Sequence, residues 1–185
     1  MRKVKLFIAS SLDGFIAGPG EDISWLFSDG DYRYKDFYNS IDTTLSGYNT
    51  YRLALSFGSF PYPDKTNYVF SRLHKHSEES PVIFVATDPA RFVRNLKEKS
   101  GKDIWLVGGG QLNTLLLNDD LIDEMVISIH PIILGKGIPL FGGNSKQSTL
   151  NMIKSESFES GLLQVTYKLM KNASSANVPF SEIKI

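Results

Sequence analysis

Three consecutive glycines, Gly108, Gly109 and Gly110, stand between a short apolar run and a leucine-rich one in "DIWLVGGGQLNTLLL". Glycine costs conformational entropy between a strand and a helix unless the backbone must turn sharply or approach something closely. A strand that feeds such a turn into a helix places backbone N–H groups and a positive dipole end where an anion can sit. The same residues also make a plain tight turn, and their spacing leaves both readings open. The pattern is neither G-x-G-x-x-G nor a phosphate loop ending in Gly-Lys-Ser/Thr. Other chemistry is poorly served. The chain has no cysteine, which excludes disulfides, thiolate metal sites and a cysteine nucleophile. Its three histidines lack ligand spacing, so no metal is expected. No serine sits in a nucleophile-elbow pattern. Asp13, followed by Gly14, reads as a turn device, Lys136 sits in a structural turn, and Trp25 reads as core filler near the first loop.

The elements that must position these residues alternate. "KVKLFIAS" is an apolar run expected of a buried central strand. In "DYRYKDFYNSI", Tyr34, Phe37, Tyr38 and Ile41 recur at helical spacing. "TTLS" reads as a strand, "NTYRLALSF" as a helix, and "NYVFS" and "PVIFVA" as strands. "TDPARFVRNLKEKSG" carries a cap, a first-turn proline and an exit glycine. "DIWLV" then reads as a strand, "QLNTLLLN" as a helix and "EMVISIHPIIL" as a strand. "NMIKSESFESGLLQVTYKLMK" reads as a β-hairpin turning at Glu159, Ser160 and Gly161. The pattern predicts an α/β fold whose mixed, mostly parallel sheet is flanked by helices, with an antiparallel hairpin at its C-terminal edge.

The 185 residues suffice for one domain, expected over residues 1–171, followed by a polar tail from 172 to 185. Acids and bases cancel to a formal net charge of zero, so no nucleic-acid partner is expected. The apolar run from Leu6 to Ala9 is far too short for a signal core, and no window suits a membrane span. A cytoplasmic protein is expected.

Residues 105–141, "WLVGGGQLNTLLLNDDLIDEMVISIHPIILGKGIPLF", resemble the reductase domain of riboflavin biosynthesis, the RibD C-terminal domain. That domain shares the three-layer dihydrofolate reductase fold. "IASSLDGFIA", "LSGYNTY" and "YVFSR" match further pieces of the superfamily in the expected order, so the likeness runs from about residue 4 to residue 170. The resemblance implies a reductase that uses NADPH on a small-molecule substrate, and a homodimer. It assigns Val107, Gly108, Gly109, Gly110, Gln111 and Leu112 to the pyrophosphate and nicotinamide side of the cofactor. Gly47, Asn49 and Thr50 would open the second helix towards phosphate, and Ala9 and Ile16 would line the nicotinamide. Ser71 and Arg72 would meet the 2′-phosphate, where a hydroxyl and a guanidinium suit a dianion. Tyr48 stands where the family commonly has arginine, so one phosphate contact is missing.

Folate-reducing relatives carry a carboxylate on the first helix, and Asp31 and Asp36 are the candidates here. On a helical wheel Asp31 lies about 60° from the apolar stripe, and Asp36 points away. Asp31 is therefore the expected catalytic residue, although an aspartate at a helix start is commonly a cap. The riboflavin enzymes also carry a zinc deaminase half whose signature needs Pro-Cys-x-x-Cys, which a chain without cysteine cannot supply. The substrate is thus open between pterin-like, pyrimidine-like and carbonyl compounds. A nucleotide-binding regulatory protein without turnover is the rival, with Tyr48 in its favour.

Overall fold

A computed structural model of the chain describes residues 1–73 and 81–170. Its first strand, β1 (Val4–Ser11), runs through the middle of an eight-stranded sheet. The other strands of that sheet are β3 (Ile41–Gly47), β4 (Thr66–Phe70), β5 (Ile83–Val85), β6 (Asp103–Gly108), β7 (Glu124–His130), β9 (Leu150–Ser157) and β10 (Leu163–Leu169). Their order is β5-β4-β3-β6-β1-β7-β10-β9. All pairings from β5 to β7 are parallel, and β10 joins both β7 and β9 antiparallel. The expected α/β class, mixed sheet and terminal hairpin are all present.

Side-chain alternation along β6 shows how the layers form. Ile104 and Leu106 point into the main core, under α3 (Pro89–Glu98) and α4 (Gly110–Asn118). Trp105 points to the opposite face and packs on Phe37 of α1 (Tyr34–Ser40). On that same face, ring contacts run from Trp105 through Tyr62 and Phe60 to Tyr51 of α2 (Tyr48–Leu55). Helices therefore cover both faces, and the parallel strands β1 and β6 carry apolar side chains on both sides, while β3 and β4 also bury Thr43, Thr44, Ser46 and Asn67. In α3 the punctuation works as expected: the Asp88 side chain accepts from the Arg91 N–H at 2.7 Å, with Pro89 in the first turn.

Some boundaries differ from expectation. α1 begins at Tyr34 rather than Asp31, because Tyr32 and Arg33 adopt left-handed φ values of 46° and 64°. β7 stops at His130, where Pro131 cannot donate to the ladder. β3 is longer than "TTLS", starting at Ile41 directly after α1. A small second sheet, β2 (Phe15–Ala17) with β8 (Ile138–Pro139), was not expected. It clips the loop after β1 to the loop after β7. Asp13 reinforces that clip by accepting from the N–H groups of Leu134 and Gly135 at 3.1 and 2.7 Å. With the Ser11 hydroxyl also donating to it, its carboxyl is held below the usual range. The polar tail from 172, and residues 74–76 of the basic patch "SRLHKH", lie outside the described residues.

At the opposite end of the strands a buried ion pair ties α3 to β7. Lys97 is 2% exposed, and its Nζ lies 2.5 Å from Asp123. Lys97→Met is expected to cost about 3 kcal/mol, because a largely buried carboxylate loses its counter-charge. Urea unfolding would show this, and a loss below about 0.5 kcal/mol would mean that water or another cation replaces the lysine.

Candidate functional site

The carboxyl ends of β3 and β6 lie side by side, with Ser46 opposite Gly108 in the ladder. Each strand passes straight into a helix, α2 after Gly47 and α4 after Gly109. Both N-caps are glycines, and neither helix start carries a side-chain cap. The two turns touch, since a Cβ added at Gly47 would stand 4.0 Å from the Gly108 carbonyl oxygen. Two helix dipoles thus present their positive ends at one spot, an arrangement suited to paired anionic groups.

The three glycines are required for different reasons. Gly108 has φ +118°, which other residues rarely adopt, and the Gly108–Gly109 peptide is cis. A Cβ on Gly109 would reach 3.3 Å from Thr50 Oγ1 and 3.7 Å from Ile16 Cδ1, closing the gap between α2 and the β2 loop. Gly110 answers to packing, since a Cβ there would fall 2.3 Å from the Pro139 carbonyl oxygen. The turn is therefore both a cradle and a packing joint.

Of the other expected cofactor residues, Gly47, Thr50, Gly109 and Ile16 come together at this gap. Asn49 and Gln111 lie exposed on the first turns of α2 and α4. Leu112 is the exception: its side chain is 7% exposed and sits in the main core, so only its main chain can face the cradle. Val107 is half-buried, and its side chain packs with the cluster around Trp105. Ser71 and Arg72 follow β4, whose last residue, Phe70, pairs with Gly47. Arg72 is exposed there, while the Ser71 N–H donates to Val85. Tyr48 packs its ring near Tyr51 and Phe84, at centroid distances of 6.2 and 6.4 Å.

A pocket of about 290 Å³ opens beside Ala9. Phe7, Phe27, Tyr34, Asp31, Ser128 and His130 contribute to its wall. A second cavity of about 460 Å³ lies across Leu26 and Phe27. Asp31 is exposed at the pocket, and its carboxylate accepts from the Lys35 N–H at long distances of 3.3 and 3.4 Å. It thus caps α1 loosely while lining the pocket. The wheel argument does not describe it, because Asp31 precedes the helix and the two left-handed residues reset its direction. Its loop is tied to the C-terminal hairpin: the Tyr32 hydroxyl, which donates to Asp29, accepts from the Ser160 hydroxyl at 3.0 Å, and Arg33 binds Glu156 through Nε and Nη2.

His130, which sequence spacing left without a metal-binding role, has structural work at the pocket. Its ring is 4% exposed, with Nδ1 3.2 Å from the Ser128 carbonyl and Nε2 3.2 Å from the Phe27 N–H. A carbonyl only accepts and an N–H only donates, so the proton sits on Nδ1 and the ring is neutral. Trp25, expected in the core, is half-buried and stands edge-on to this ring at 5.1 Å. Burial holds the imidazole pKa below its ordinary value. As pH falls the unfolded chain takes up this proton first, so the stability His130 provides is fully present above roughly pH 6.5. It is lost as the pH drops from there through the folded-state pKa. His130→Gln should flatten this acid dependence of Tm between about pH 7.5 and about pH 5.5. An unchanged slope would assign the acid sensitivity to other groups.

A glycine-lined cradle at the carboxyl ends of parallel strands, next to a small aromatic pocket, defines a protein of the dihydrofolate reductase-like fold. A family model described as the RibD C-terminal domain matches residues 2–164, and the chain belongs to that family. It is 37% identical over 161 residues to the uncharacterized protein YwjB of Bacillus subtilis, covering 85% of this chain and 92% of that one. A crystal structure of a Shewanella sp. PV-4 protein provisionally assigned to riboflavin biosynthesis superposes with a TM-score of 0.82 at 31% identity. That match covers 91% of this chain and 99% of the other. The Thermotoga maritima diaminohydroxyphosphoribosylaminopyrimidine deaminase/5-amino-6-(5-phosphoribosylamino)uracil reductase shares the fold, with a TM-score of 0.68 at 20% identity. This chain spans 57% of its length.

Proposed function

We propose that this protein is an NADPH-dependent reductase acting on a small planar heterocycle or carbonyl compound held in the pocket beside Ala9. The observation that carries the reading is the pair of uncapped, glycine-started helices meeting at Gly47 and Gly108, with the pocket opening next to them. The cradle fits a dinucleotide, because a Cβ at Gly109 would close against Thr50 and Ile16 the space a flat ring would use. Gly47, Asn49, Thr50 and the Gly108–Leu112 main chain would hold its phosphates, and Ser71 with Arg72 the 2′-phosphate. When bound, NADPH supplies a hydride. The chain's part is to press the substrate against Ala9 with Phe7, Phe27 and Tyr34, and to exclude water there. Asp31, on the pocket wall, orients the substrate and passes a proton to it.

NADPH is expected to raise the melting temperature, and NADH to raise it less. Arg72→Ala should narrow that difference. No shift with either nucleotide at about millimolar concentration would overturn the reading. If NADPH binds and no pterin, pyrimidine or simple carbonyl is reduced, the protein is a nucleotide-binding regulator, a reading that the ring at position 48 favours.

A further inference from the structure

Gln164 fixes the direction of one buried hydroxyl in the pocket wall. Its Nε2 lies 3.0 Å from the Tyr32 carbonyl oxygen and 3.0 Å from Ser128 Oγ. A carbonyl only accepts, so the amide nitrogen faces Tyr32, and its two hydrogens serve the two contacts. Ser128 Oγ therefore accepts, and its own proton points elsewhere. Gln164 is the only hydrogen-bond partner of this hydroxyl among the described residues. The two side chains belong to residues only 6% and 7% exposed, and Ser128 lines the pocket. In the β1–β7 ladder Ser128 is the partner of Ala9. A buried donor without an acceptor is costly, and an acceptor on a bound ligand would recover that cost. The neighbouring His130 cannot serve this purpose, since both its nitrogens are engaged.

We propose that Ser128 donates the hydrogen bond that seats the acceptor atom of a planar heterocycle, a ring carbonyl or ring nitrogen, at the Ala9 end of the pocket. Gln164 is the positioning residue that turns the hydroxyl towards the ligand, and it also ties down the loop bearing Asp31 through Tyr32. This rests on reading the pocket as the substrate site. The pocket then selects rings that carry an acceptor over flat rings of similar size that carry only an amine. During reduction the serine keeps its proton. Its hydrogen bond draws electron density from the C=N or C=O whose carbon receives the hydride, a neutral form of electrostatic stabilisation.

The test uses two bicyclic probes, 4-quinazolinone with ring acceptors and 1-naphthylamine without, titrated calorimetrically into the full chain saturated with NADPH. Wild type should prefer the quinazolinone. Ser128→Ala should weaken it about tenfold and leave naphthylamine unchanged. Ser128→Thr should keep the preference, because the hydroxyl is retained. Gln164→Glu presents a carboxylate that captures the serine proton, so the preference should collapse while naphthylamine still binds. General damage to the pocket would instead weaken both probes. Equal quinazolinone binding by wild type and Ser128→Ala overturns the proposal, as does equal loss of both probes in that variant. If the NADPH-bound wild type binds neither ring, the substrate-pocket reading itself fails and the proposal falls with it.

Discussion

Gly110→Ala is expected to destabilise the fold by about 3 kcal/mol and to abolish the thermal shift caused by NADPH. The added methyl would sit 2.3 Å from the Pro139 carbonyl oxygen, and both are backbone-bound. No rotamer change relieves such a contact, so either α4 or the β2–β8 clip must move. Moving α4 displaces the Gly109 turn from Thr50, and moving the clip displaces Ile16. Either response widens the cradle from one side. Gly143→Ala is the matched control, because a Cβ there meets nothing within 4 Å. Its stability should stay within about 0.5 kcal/mol of wild type. Equal stability of the two variants in urea would show that the joint between α4 and β8 yields cheaply.

Asp31→Asn is expected to slow turnover by roughly 100-fold on whichever compound the NADPH-oxidation screen selects, with little change in Tm. The amide keeps an acceptor for the long Lys35 contact but cannot pass a proton. Exposure of the side chain at the pocket is consistent with a small stability effect. A full rate in this variant would remove Asp31 from the mechanism and leave it as a cap. A large drop in Tm would point to the capping contact as its principal role.

The sheet was legible because parallel strands covered on both faces read as apolar runs, as "KVKLFIAS" and "DIWLV" do. Gly-rich exits from β3 and β6 marked the cradle for the same local reason. The β2–β8 clip escaped notice because strands of three and two residues have no periodicity to detect. Asp31 does line the pocket beside Ala9, but the wheel angle that turned it inward does not apply, since Tyr32 and Arg33 break the helix before it starts. Ser128 and Gln164 left no signal at all. Small neutral residues inside strands look like ordinary pleat positions, and only the β7–β10 register sets them opposite each other. His130 was visible as a residue, but its partner Phe27 is 103 positions away.

The central position of β1 has a consequence for synthesis. Residues 4–11 leave the ribosome roughly 100 to 120 residues ahead of their partners Ile104–Leu106 and Glu124–His130. At the usual pace of translation the apolar "LFIA" segment would wait on the order of 5 to 25 seconds without a native neighbour. Gln164 comes later still, so the pocket wall can close only after β10 has followed β7 out of the ribosome. Newly made chains therefore pass through an interval in which this apolar central strand is uncovered, and slowing elongation should raise their demand for chaperones.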